Sequence, residues 1–155
     1  MSPGTPDGAF RSPEVVCGFD FGLRRIGLAV GDTLTRAARP LPAMERDNSA
    51  LSETEWRSLE REVVKVGARQ LVVGCPYNTD GSSSPMTGRA QAFAKALGER
   101  LKMPVHLVDE RYSSLEAEAA LRERRSTRDR KRYDRGAIDS AAATVVLERW
   151  LTGER

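Results

Sequence analysis

The rhythm of apolar and polar positions changes several times along this chain, and each change marks a predicted element. Val15 to Asp20 (VVCGFD) is a short apolar run that stops at an acid. Phe21-Gly22-Leu23-Arg24-Arg25 reads as a turn, and Ile26 to Val30 is a second apolar run. Two short strands joined through a glycine-containing turn form a hairpin. Ala38 to Met44 is extended but carries Pro40 and Pro42, which lack the N–H a central strand needs and so place it at a sheet edge. The chain therefore opens with a three-stranded antiparallel meander.

Helical spacing follows. Ser52 and Glu55 have the capping-box separation, Trp56, Leu59, Val63 and Val66 recur at helical period, and Gly67 stops the helix. Gln70 to Val73 is a compact strand, and Cys75 to Pro85 a loop of turn-forming residues. A second helix from about Thr87 carries Ala90, Phe93, Leu97 and Leu101 on one face and is closed by Pro104. Val105 to Val108 is a strand ending at Asp109-Glu110, and Ser113 or Ser114 caps a helix from Leu115 to about Arg124. A basic, polar loop runs to Arg135. The last helix, Ala137 to Leu151, presents Ile138, Ala141, Ala142, Val145 and Trp150. Helix–strand alternation in the second half implies parallel strands with right-handed crossovers. The expected fold is α/β: a mixed five-stranded sheet, three antiparallel strands then two parallel, with helices on both faces.

Composition narrows the class. With 155 residues, 39% hydrophobic and 30% charged, the chain suits one globular domain over 14–155. Met1 to Pro13, rich in Pro, Gly and Ser and without a signal-peptide core, reads as a disordered arm. No apolar run approaches the roughly 18 residues of a membrane span. Cys17 and Cys75 sit in strand-like sequence and read as buried free thiols in a reducing cytoplasm. Two cysteines and one histidine cannot build a structural zinc site. The net charge of +3, with a pI near 9.1, matters less than where the basic residues lie.

Three acids occupy telling positions: Asp20 ends the first strand, Glu110 ends the last, and Asp139 starts the final helix. Carboxyl ends of parallel strands gather at one edge, where open α/β sheets place their sites. The helix dipole would keep Asp139 ionised. Clustered carboxylates repel unless a cation lies between them, and their oxygens suit Mg²⁺ or Mn²⁺. Such a site can activate water against a phosphodiester. Singly, each acid has a blander reading as a turn or helix-start residue; their predicted convergence is what points to chemistry.

Four segments resemble a known family. Asp20-Phe21-Gly22-Leu23-Arg24-Arg25-Ile26-Gly27-Leu28-Ala29 is similar to the opening motif of the YqgF (RuvX-type) nucleases. Val72 through Gly81 resembles their central strand–loop motif, Asp109-Glu110-Arg111-Tyr112-Ser113-Ser114 with Glu116-Ala117 their third, and Asp139-Ser140-Ala141-Ala142-Ala143 with Leu147 and Trp150-Leu151 their last. The likeness spans about Val15 to Leu151. It implies a ribonuclease H-like fold and a cytoplasmic, metal-dependent endonuclease. Members are described as maturing the 5′ end of the 16S ribosomal RNA precursor and have also been assigned as Holliday junction resolvases. Carried over by position, Asp20, Glu110 and Asp139 are the catalytic, metal-binding acids. Gly136 stands where many ribonuclease H-like nucleases have a further acid, so the number of ions is left open.

Substrate contacts follow from charge. Arg122 to Arg135 holds eight basic residues, Arg128, Arg130, Lys131 and Arg132 among them, against three acids, and it leads directly to Asp139. Clustered arginine favours phosphate oxygens; the plain alternative is a solvated loop. Arg24 and Arg25 either clamp a phosphate or solubilise their turn. Asn78 starts a loop at a strand's carboxyl end and Arg111 adjoins Glu110; both complete the set of nucleic-acid contacts. His106 reads as a packed or partly exposed strand residue rather than a general base. An actin-like or sugar-kinase ATPase shares the Asp-Phe-Gly hairpin but needs a second domain. A binding-only protein, its acids vestigial, is the rival from another class. Neither monomer nor dimer can be read from the residues.

Overall fold

Val15–Phe21 (β1) alternates its side chains between two apolar environments, and the whole fold is organised around that strand. The structure is a computed structural model and describes residues 12–47, 50–110 and 140–153. β2 (Arg25–Asp32) and β3 (Ala38–Glu45) continue from β1 as an antiparallel meander. β4 (Ala68–Cys75) lies parallel to β1 on its other side, and β5 (Val105–Asp109) lies parallel to β4. The five-stranded order is β3-β2-β1-β4-β5, which puts the proline-bearing β3 at an edge, as its sequence requires.

Helices cover both faces. Cys17 and Phe19 point towards α1 (Glu53–Val66) and α2 (Pro85–Leu101), joining Leu59, Val63, Phe93 and Leu97 in the larger core. Phe93 stacks on Phe21 at 4.8 Å and on Trp56 at 5.6 Å, and meets Phe19 edge-on at 5.9 Å. Arg46 and Arg100 close the two ends of this column, over Phe21 and Trp56. On the opposite face Val16, Ala29, Val72 and Val108 pack against α3 (Ala141–Thr152) through Ala143, Val146 and Leu147.

Local signals explain the helix ends. Ser52 accepts from the Glu55 N–H while the Glu55 carboxylate accepts from the Ser52 N–H, the reciprocal box the sequence predicts. Gly67 closes α1 at φ 76°, a left-handed conformation that favours glycine. α2 begins two residues before the expected Thr87, because Ser84 caps it and Pro85 occupies the first helical position.

α3 departs from expectation in its buried face. It is described from Ala141, preceded by Ser140, which leaves helical geometry (φ −101°, ψ 8°) to engage the sheet; positions 137–139 of the expected helix lie outside the described residues. Its buried face is Ala143, Val146 and Leu147, not the face of Ala141, Ala142 and Val145, which are only partly buried. Residues 141–147 are small or apolar on nearly every side, so spacing alone does not choose a face. The expected helix Leu115–Arg124, the basic loop and the first eleven residues of the expected arm lie outside the described residues. Cys17 and Cys75 are buried free thiols, and burial, with Glu62's charge adding, pushes Cys17 up to about 12.

Candidate active site

The carboxyl ends of β1, β4 and β5 line up in register. Phe19 pairs with Val73 and Gly74 with Val108, so Asp20, Gly74 and the start of the Asp109-Glu110 segment lie abreast on three neighbouring strands. β1 and β5 are separated by β4, roughly 9–10 Å between backbones at normal strand spacing. Two acids on them meet only if the strand between leaves its upper surface bare. Gly74 does so: a Cβ there would stand 2.5 Å from the Glu110 Oε2 and 3.1 Å from the Val146 Cγ2. Glu110 reaches over this gap and hydrogen-bonds to Asp20.

The electrostatics follow from that contact. Burial, then the charge of Asp20, their hydrogen bond and the charge of Asp109 raise Glu110 from 4.5 to about 9. Burial also raises Asp20, opposed by the hydrogen bond it accepts from Glu110. Without a cation both carboxyls therefore keep their protons to higher pH than isolated ones would. The main chain supports the arrangement: the Glu110 N–H donates to the Cys75 carbonyl (3.1 Å), and Arg149 Nη1 of α3 donates to the Asp109 carbonyl (3.2 Å).

An oxygen-only donor pair under mutual repulsion fits a hard divalent cation. Among the described residues no group of three His, Cys, Asp or Glu side chains is placed to hold a metal ion. Asp139, the third expected ligand, lies outside them, as do Arg111, Arg128, Arg130, Lys131 and Arg132.

Of the remaining candidates, Arg24 is exposed in the β1–β2 turn and Arg25 is partly buried at the start of β2. Asn78 is exposed, and its side-chain amide donates to Ser82 Oγ (2.9 Å) and the Ser83 carbonyl (3.2 Å), holding its own loop closed. His106 is a packing residue, stacked on Trp150 at 4.7 Å and hydrogen-bonded through Nε2 to Gln70 Oε1 (2.8 Å). Sequence reasoning missed Gly74 as a site residue. The available signal was a glycine inside a valine-rich strand, which marks a close approach.

A mixed sheet with this strand order, helices on both faces and an acid pair at its carboxyl edge defines a ribonuclease H-like protein. Solved structures share that fold. The Thermus thermophilus RuvC in complex with a Holliday junction substrate superposes with TM-score 0.56 at 14% identity, covering 91% of this chain and 95% of that one. The fowlpox virus Holliday junction resolvase does so with TM-score 0.57 at 12% identity, covering 90% and 99%. The chain belongs to the RuvX family, described as Holliday junction resolvase, which matches residues 14–153. Similar proteins include one of Xanthomonas campestris pv. campestris, 41% identical over 145 residues, covering 94% of this chain and 92% of its own. One of Legionella pneumophila is 40% identical over 137 residues, covering 88% and 94%. Both carry the name "Putative pre-16S rRNA nuclease".

Proposed function

We propose that this protein is a divalent-metal-dependent endonuclease that hydrolyses phosphodiester bonds in the 5′-end maturation of pre-16S ribosomal RNA. The observation that carries the reading is the Asp20–Glu110 pair meeting across β4 above Gly74. Such a pair is costly to a fold that has no cation to put there. Asp20, Glu110 and Asp139 would hold the ion. When bound there, Mg²⁺ or Mn²⁺ would supply positive charge that polarises a phosphoryl oxygen and makes water more acidic.

The chain's own groups prepare that site. Asp20 is fixed by the β1–β2 ladder opposite Gly27, and Glu110 by its N–H bond to Cys75. Arg24 at the turn beyond Asp20 is exposed and can meet backbone phosphate from solvent. The basic run from Arg122 to Arg135, with Arg25, Asn78 and Arg111, completes the phosphate contacts, which recognise the backbone rather than a base sequence. Action on a four-way DNA junction is the second reading, favoured by the family's description and by the resolvase structures sharing the fold.

Cleavage assays on a pre-16S 5′ fragment and on a four-way DNA junction, with Mg²⁺ or Mn²⁺, test both readings. Wild type should cut the RNA, and Asp20→Asn should be slower on the order of 10³-fold or more. Equal cutting by the two proteins would remove the acids from the chemistry. Preference for the junction would favour the second substrate.

A further inference from the structure

On the face of the sheet opposite the acid pair lies a cavity of about 530 Å³. β1 serves both places, because successive strand residues point to opposite faces. Asp20 belongs to the α3 side with Val16 and Gly18, while Phe21, next in the chain, helps to line the cavity. Leu23, Leu51 and Trp56 give it apolar walls, and Arg46 and Arg89 are its charged groups. Among the described residues no acid lines it, so it suits an apolar body that carries negative charge.

Arg46 is held in place before any ligand arrives. Its N–H donates to the Arg24 carbonyl (2.9 Å), and its Nη1 donates to the carbonyls of Gly22 (2.8 Å) and Leu23 (3.0 Å). The guanidinium thereby stands over Phe21, 4.9 Å from the ring centroid. Phe21 lies between Arg46 and Phe93, and Trp56 between Phe93 and Arg100, so these rings are already stacked on both sides. The planar group remaining at the cavity wall is the guanidinium itself. Guanidinium planes stack on nucleobases, and a plane fixed in advance loses little freedom when it does so.

We propose that this cavity receives one unpaired nucleobase of the substrate strand, laid on the Arg46 guanidinium, with Arg89 meeting its phosphate. A planar base matches the apolar walls, and the phosphate answers the two arginines. Stacking of this kind tolerates any base. From the acids to the cavity is roughly 10 Å through the sheet layer, or about three nucleotides at a rise of about 3.4 Å each. A strand crossing the carboxyl edge of the sheet can therefore occupy both sites at once, but only where it is single-stranded. The proposal deepens the reading above and rests on its nucleic-acid substrate.

Calorimetry on the full chain in EDTA, with a single-stranded RNA oligomer and an abasic oligomer of equal length, tests it without metal or cleavage. Wild type should bind the RNA on the order of tenfold more tightly than the abasic strand. Ala92→Glu places a charged side chain at the cavity lining from an exposed helix position, and Arg46→Lys keeps the charge but removes the plane. Each should abolish most of that preference, and Arg46→Lys should leave the affinity for the abasic strand near wild type. Lys95→Ala, which removes an exposed charge of α2 outside the lining, should leave the preference intact. A preference that survives Ala92→Glu and Arg46→Lys, however far both affinities fall, would overturn the proposal and leave the arginines as phosphate contacts. Equal binding of the two strands by wild type would overturn it too. Wild type that binds neither strand would instead sink the nucleic-acid reading above, and this proposal with it. Should Arg46→Lys fail to fold by circular dichroism, Ala92→Glu decides alone.

Discussion

The two faces of the sheet are built on opposite plans. Towards α1 and α2 the strands present Phe19, Phe21, Ile26, Leu28 and Leu71, and the helices answer with Trp56, Leu59, Phe93 and Leu97. Towards α3 they present glycine: Gly18 on β1, Gly31 on β2 and Gly74 on β4 each lie under that helix. A Cβ added at these three positions would come within 2.8 Å of Leu147, 2.8 Å of Leu151 and 3.1 Å of Val146, respectively. The first face gains stability from bulk. The second brings a helix against the backbone and secures it with polar ties, from Ser140 to Leu28 and Leu41, from Ala38 N–H to Glu148 and from Arg149 to Asp109. The acids lie on this thin face, where position matters more than burial.

That contrast is open to breaking. Phe93→Ala removes the centre of the aromatic column and should cost about 3–5 kcal/mol in urea unfolding, while cleavage per folded molecule, with substrate saturating, stays near wild type. A comparable loss of activity in folded protein would mean that the two faces are not independent. Gly74→Ala should cost less stability, about 1–3 kcal/mol from overpacking, yet abolish most Mn²⁺ binding by displacing Glu110. Retained affinity there would show that the bare strand is incidental to the acid pair.

The smallest effect is a pH dependence. Glu110 holds its proton up to about 9 when folded, against 4.5 ordinarily, so the folded chain binds more protons than the unfolded one between those values. Metal-free protein should therefore be most stable below about 4.5 as far as this group is concerned, and lose that contribution as pH rises towards about 9. Asp20 titrates together with Glu110 and shares the effect, which should read as a change of roughly a few degrees in melting temperature. Mn²⁺ should reverse the loss, and Glu110→Gln should flatten the slope. A slope unaffected by Glu110→Gln would assign the titration elsewhere.

Legibility in the sequence differed between the faces in the same way. The hairpin, the edge strand with Pro40 and Pro42, and the Ser52–Glu55 box are written in residues a few positions apart, and the structure follows them. The stripes of α1 and α2 were readable because polar residues interrupt them at regular intervals. α3 was not: Ala141-Ala142-Ala143-Thr144-Val145-Val146-Leu147 offers little contrast, and the glycines that select its face lie about 70 to 130 residues earlier. Asp20 and Glu110 were found as strand-end acids, but their meeting depends on Gly74 in a third strand. Ser140 was hidden for a similar reason. A serine before a helix reads as a cap, and the strands that claim its hydroxyl lie about 100 residues away.

The chain has two tryptophans, and the fold gives one to each face: Trp56 ends the aromatic column under Arg100, and Trp150, on α3, lies against His106. Intrinsic fluorescence is therefore already divided between the two halves of the molecule. Replacing either indole by phenylalanine leaves an emission signal that reports the other side alone. The order in which the helices detach during denaturation then becomes an optical measurement that needs no added label.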